Sequence, residues 1–176
     1  MKTHRRDPNP DSEPYMRYGH AVVTHDHHIY LWGGRNDSQG SCNKMWRFDG
    51  RTHSWSLIET TGDEPSGRDG HSMTVWKDKI VIFAGMLDKY SYIIEKLGIL
   101  RLFLGYDSDS ECYSNETHFF DITTSKWTKV IPTQGMPARW RDFHTAAEID
   151  DKLYIFGGRA DIFGHLQSNQ DYYCNQ

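Results

Sequence analysis

Cysteine is scarce in this sequence. Its 3 cysteines, Cys42, Cys112 and Cys174, are widely spaced. That spacing argues against a disulfide frame and for reduced thiols in a cytoplasmic protein. Long apolar runs are missing as well. The nearest approach, residues 90–104, is interrupted by Glu95, Lys96 and Arg101, so nothing reaches the ~18 apolar residues of a membrane span. The stretch from Met1 to Pro8 lacks the apolar core of a signal peptide. Basic charge is not in excess either: 20 Lys+Arg face 24 Asp+Glu, a net charge of -4 over 176 residues. Nucleic acid is therefore not expected as a direct partner. What the sequence does hold is aromatic residues (14%, with 6 Trp) and 15 Gly. That mixture suits short strands joined by tight turns and fits poorly with a helical bundle.

Three segments align without gaps: Arg17-Tyr18-Gly19-His20, Arg68-Asp69-Gly70-His71 and Arg141-Asp142-Phe143-His144. In each, the second member of a small-residue pair lies 14 residues after the histidine: Gly33-Gly34, Ala84-Gly85 and Gly157-Gly158. A strand-like apolar run precedes each pair. Downstream come Asn43-Lys44-Met45-Trp46-Arg47-Phe48-Asp49 and Trp55, matched by Asn115-Glu116-Thr117-His118-Phe119-Phe120-Asp121 and Trp127. The first unit reads as strands at 21–24, 29–32, 45–48 and 54–58, with turns at Asp26-His27 and 49–52. The turns between the first two strands of the other units are expected at Asp78-Lys79 and Asp150-Asp151. Each unit is thus a four-stranded antiparallel meander. A lone meander cannot bury its face, so neighbours must stack on it as propeller blades do.

The Arg-x-Gly-His, Gly-Gly, Asn-x-x-x-x-Phe-Asp and Trp series resembles the kelch repeat. The resemblance implies an all-β, kelch-type β-propeller, of whose six or so blades about three are present as an open fragment. On this reading residues 1–13 are a polar lead-in, 14–64 the first kelch unit, 65–135 the second and 136–176 a truncated third. Residues 86–105 read as an insertion into the second unit. They are either an amphipathic loop helix, with Ile93, Ile94, Leu97 and Leu100 at helical spacing, or an unspliced intron. An open half-propeller exposes an apolar face and unpaired edges, so marginal stability is expected.

No Gly-x-Ser-x-Gly, phosphate-cradling loop or Cys-x-x-Cys occurs, and no catalytic function is expected. His25, His27 and His28 crowd one turn. Alternate residues of a turn seldom converge on a tetrahedral ion without an added ligand, so a solvated turn is expected, with no metal and no cofactor. His20, His71, His144, Gly33, Gly34, Gly85, Gly157, Gly158, Trp55 and Trp127 recur at repeat positions and read as structural, the tryptophans wedged between blades. The arginines differ. Arg17, Arg68 and Arg141 precede the first strand of a unit, while Arg35 and Arg159 follow the second, so all five approach one propeller face. Guanidinium forks beside Asp142 and Phe143 suit a peptide with a free carboxylate. Arg35, Arg159, Arg141, Arg68, Asp142 and Phe143 are the candidates; for Arg68 and Arg141, pairing with Asp69 or Asp142 is the competing reading.

Some strings go beyond the generic repeat (Pro14 to His20, Leu31 to Asp37, Pro137 to His144, Phe156 to Asp161) and are similar to one branch of the kelch family. That resemblance implies a substrate receptor of cullin-2 RING ubiquitin ligases that binds C-terminal degrons, with elongin and cullin-2 engaged through a region outside this chain. In that branch an Arg directly after the Gly pair and another shortly after it hold the degron carboxylate. Arg35 and Arg159 match the first position, while Ile162 stands where the second is expected. A non-catalytic scaffold for actin or chromatin-associated partners is the alternative, which adds the nucleus to the cytoplasm as a location.

Overall fold

The computed structural model describes residues 12–87, 112–135, 138–160 and 172–175. Among them there is no helix; the order is β1 (Tyr18–His25), β2 (His28–Asn36), β3 (Gly40–Ser41), β4 (Met45–Asp49), β5 (Ser54–Ile58), β6 (Thr61–Gly62), β7 (Arg68–Asp69) and β8 (Ser72–Trp76). Then follow β9 (Lys79–Phe83), β10 (Met86–Leu87), β11 (Cys112–Tyr113), β12 (Thr117–Asp121), β13 (Lys126–Val130), β14 (Thr145–Ile149), β15 (Lys152–Ala160) and β16 (Tyr172–Asn175).

Blade one is the antiparallel series β1-β2-β4-β5, with β3 paired to the outer end of β2. Blade two is β8-β9-β12-β13, and β6, from the connection between the blades, adds a parallel strand beside β13. Blade three contributes β14-β15-β16. The chain is thus an open all-β array of kelch-type blades.

Two-residue turns join the first strands of each blade, and one of them departs from the expected position. Trp76 pairs with Lys79, so the turn is Lys77-Asp78 and not Asp78-Lys79. Lys77 takes the left-handed conformation (φ 55°) that Asp26 and Asp150 take in the other blades. An aspartate is the usual occupant of such a position, which is why the sequence pointed one residue too far.

The core lies between blades. Tyr30, Trp32 and Met45 of blade one meet Met73, Ile80, Ile82, Phe120 and Trp127 of blade two. Trp127 lies 5.8 Å from Trp32 and 4.9 Å from Phe120, ring centre to ring centre. It is a wedge between blades, and burying a side chain this size contributes about 3 kcal/mol. Trp55, its counterpart in blade one, packs on Phe48 of its own blade and is only half-buried.

The same register positions end differently in blade three. Trp32 and Phe83 are buried, yet their counterpart Phe156 is 62% exposed; Tyr30 is 3% exposed and its counterpart Tyr154 53%. Alternation puts both on the face of blade three that points away from blade two. Blades one and two bury the equivalent face against a neighbour.

Met86 and Leu87, the first two residues of the expected insertion, are buried strand residues. Met86 pairs with Asp69 and with Tyr113, as Arg35 pairs with Tyr18 and with Ser41 in blade one. The rest of that segment, with its expected amphipathic spacing, lies outside the described residues, as do Asp161 and Ile162.

Candidate functional site

The strand starts of the blades converge at one end of the array. Gly70 N–H donates to Gly19 O (2.9 Å) and Phe143 N–H donates to Gly70 O (2.7 Å), so the three starts form one chain of backbone bonds from blade to blade. The repeated arginines stand directly beside this seam.

Arg17, Arg68 and Arg141 share one hydrogen-bond scheme. Nε donates to the carbonyl two residues back: Tyr15 (3.1 Å), Ser66 (3.1 Å) and Arg139 (3.2 Å). Nη1 donates to the carbonyl sixteen residues ahead, the first of the small-residue pair: Gly33 (3.1 Å), Ala84 (3.2 Å) and Gly157 (2.8 Å). Each guanidinium thus staples the entry of the first strand to the end of the second. Arg68 also donates to Ser114 Oγ (3.0 Å) and pairs with Glu116 (3.2 Å). Lys129 completes that pair. Burial would raise the Glu116 carboxyl, but the bonds from Lys129 and Arg68 outweigh it and hold it down at about 2.

Arg68 and Arg141 are wholly buried. As candidates for ligand contact they are therefore corrected to structural staples, because a guanidinium sealed beneath the backbone cannot reach a peptide. The competing reading had the structural role; the partners seen include backbone carbonyls for both arginines and Glu116 for Arg68.

Arg159 is placed differently. It is 31% exposed, and Asp142, wholly buried, accepts from its Nε (3.2 Å) and its Nη2 (2.8 Å). A two-point fork of this kind fixes the plane of the guanidinium. The ring of Phe143 lies 5.5 Å from the guanidinium carbon and that of Tyr113 5.7 Å, within cation–π range. Asp142 is sealed from solvent behind Arg159 and sets the plane of that guanidinium. Its partner was within reach of the sequence: the pairing of Tyr18 with Arg35 in blade one puts Asp142 opposite Arg159 in blade three. Arg35 is half-buried at that pairing, and the Tyr18 hydroxyl donates to Asp37 (2.8 Å).

Phe143 occupies the position of Gly19 and Gly70. Its φ is 49°, against 66° and 65° for the two glycines, and its side chain is 59% exposed. A bulky residue in the left-handed region is an outlier, costing about 1–2 kcal/mol. Strain of this sort gathers where a surface presents a group for use.

Two of the repeated histidines, His71 and His144, are contacts between blades, while His20 is exposed. His71 meets the ring of Trp32 edge-on at 4.9 Å, and His144 meets Phe83 at 5.3 Å. His144 Nε2 also shares a 2.8 Å hydrogen bond with Ser72 Oγ. Burial, aided by Arg68, pushes the His71 imidazole down to about 3; burial and then Arg141 bring His144 to about 4. Both are neutral at pH 7. Gly33 fits because a Cβ there would lie 2.3 Å from the His71 ring. Gly34, Gly85 and Gly158 all take positive φ, and a Cβ on any of them would meet the neighbouring histidine Cβ at 2.8 Å.

The comparisons agree with this architecture. The family described as the KLHDC2/KLHL20/DRC7 Kelch-repeats domain matches residues 2–101. Kelch domain-containing protein 3 of Homo sapiens and of Mus musculus are each 45% identical to the chain over 163 residues, which is 93% of this chain and 37% of the relative. Kelch domain-containing protein 2 of Bos taurus is 30% identical over 174 residues, 94% of this chain and 40% of the relative. The chain therefore spans well under half the length of these curated relatives. With its stacked blades and repeated Arg, His and Gly positions, the chain belongs to the kelch-repeat proteins of the KLHDC2/KLHL20/DRC7 group.

Proposed function

We propose that this chain is part of the substrate-reading propeller of a cullin-2 ubiquitin ligase and takes the C-terminal tail of a target protein. Kelch-repeat domains are typically non-catalytic protein-interaction domains. The observation that supports the finer reading is the placement of Arg159. A half-exposed guanidinium, held in one plane by a buried carboxylate and flanked by two aromatic rings, is a fitting reader of a terminal carboxylate. Arg35, at the equivalent position of blade one, is its companion on the same rim. Elongin and cullin-2 are the proposed ligase partners, and the cytoplasm, with the nucleus, is the proposed location.

The test is an array of C-terminal peptides offered in two forms, with a free carboxylate and as the amide. The reading expects binding by the free-acid forms, enriched in terminal glycine, and loss on amidation. Binding that ignores the terminus and follows internal sequence would instead favour a scaffold for folded partners such as actin or chromatin proteins.

A further inference from the structure

We infer that the turn end of blade one, opposite the arginine rim, holds a divalent transition-metal site built from His27, His28 and Asp49. The two turns that carry these residues are locked together. Gly50 N–H donates to His27 O (2.9 Å), and His28 lies directly across from Asp49 in the β2–β4 pairing. Asp49 Oδ1 accepts from the backbone N–H of Arg51 (2.7 Å) and Thr52 (3.3 Å). Those bonds turn Oδ2 toward His28, whose Nε2 lies 4.0 Å away. The His27 ring lies against the His28 ring at 3.9 Å. One donor atom from each of the three side chains lies within 4.8 Å of the other two. His25, the third histidine of the turn, is directed elsewhere, toward Asp26 and Asp78.

Blade two supplies an internal control for the bland reading. There Lys79 and Asp121 occupy the positions of His28 and Asp49 and make a direct ion pair at 2.7 Å. In blade one the donor and the carboxylate stand too far apart for a hydrogen bond, with a second imidazole alongside. Donors around a tetrahedral ion with ~2.0–2.2 Å bonds are roughly 3.4 Å apart. A modest swing of the exposed His27 and of Asp49 therefore closes the set. Two imidazoles and one carboxylate favour Zn2+, Ni2+ or Cu2+ over Mg2+ or Ca2+, and water completes the coordination. Such an ion would clip the two turns of blade one together and stabilise the fold by mass action.

The experiment is calorimetric titration of the chain with Zn2+ alone, repeated with a large excess of Mg2+. The expected result is one saturable Zn2+ site that Mg2+ does not displace. His28→Lys, which rebuilds the ion pair of blade two and so preserves the fold, should weaken it by at least about tenfold, the minimum expected for a ligand when even supporting groups cost 10–100-fold. Asp49→Asn keeps the Oδ1 acceptor of the turn and should weaken it similarly, whereas His25→Gln should leave it unchanged. Equal Zn2+ binding by wild type, His28→Lys and Asp49→Asn would overturn the assignment, as would the absence of saturable binding by the wild type.

Discussion

Asp142 and Arg159 are joined twice: by a side-chain fork, Oδ1 to Nε and Oδ2 to Nη2, and by a reciprocal backbone pair, Asp142 N–H to Arg159 O (3.0 Å) and Arg159 N–H to Asp142 O (2.9 Å). The backbone pair puts the two residues opposite each other, and the fork then aims the guanidinium. Asp142→Asn keeps the backbone pair but loses the charge. It should lower stability by about 1–2 kcal/mol, the range for a charged hydrogen bond discounted for the exposure of Arg159. It should also weaken binding of a free-carboxylate peptide. Peptide titration and urea denaturation of the same variant check both effects. Tighter peptide binding would mean that Asp142 competes with the ligand for Arg159 and does not orient it.

Phe143 sets stability against use. Gly19 and Gly70 show what the backbone prefers at this position, and the exposed ring of Phe143 recovers little burial. Phe143→Gly should stabilise the chain by about 1 kcal/mol, through relief of the left-handed strain. It should at the same time weaken peptide binding, because the ring beside Arg159 is gone. Urea denaturation gives the first value and titration the second. A destabilised Phe143→Gly would show that the ring packs against something the account lacks.

Acid should loosen the contacts between blades. His71 and His144 stay neutral when folded, down to about 3 and about 4, whereas an unfolded histidine takes up a proton near pH 6.5. The stability they lend is complete above about pH 6.5 and is lost as pH falls toward 3–4, where the folded imidazoles finally protonate. Within that window each contributes a slope of up to about 1.4 kcal/mol per pH unit. Glu116, held down at about 2, adds its own loss below about 4.5. Urea midpoints at pH 7 and pH 5 measure the slope, and His144→Gln should remove one histidine's share. Equal stability at the two pH values would contradict the buried neutral pair.

Much of this architecture was legible in the residues. The spacing of 14 from histidine to small-residue pair fixed the units, because it spans one antiparallel hairpin whose register repeats. The same register placed all five arginines at one end. It could not separate the stapling arginines from the rim arginine: whether a guanidinium meets a carbonyl sixteen residues ahead or open solvent depends on how deep the strand entry lies. Glu116 escaped notice because its counterpart in blade one is Lys44, so the repeat gave no hint of a carboxylate for Arg68. Asp49 as a neighbour of His27 and His28 required the pairing of β2 with β4, which joins residues far apart in sequence.

The outward face of blade three offers a separate check. Tyr154 and Phe156 hold the positions of the buried Tyr30 and Trp32. Replacing both exposed residues by Ser should reduce hydrophobic-dye binding and self-association while changing stability by only about 0.5 kcal/mol. Trp32→Ala should cost about 3–5 kcal/mol. Dye fluorescence, sedimentation and denaturation together decide. A large loss of stability in the double Ser variant would mean that this face is already covered in the chain.

The central claim is that Arg159 reads a terminal carboxylate, and four affinities test it most directly. They are those of a glycine-ended peptide, as the acid and as the amide, for wild type and for Arg159→Ala. A charged, partly desolvated hydrogen bond is worth about 1.5–3 kcal/mol, so the substitution should weaken the acid roughly 10–150-fold. Amidation should cost wild type a similar factor and make the substitution nearly silent. Equal wild-type affinity for acid and amide would contradict the account.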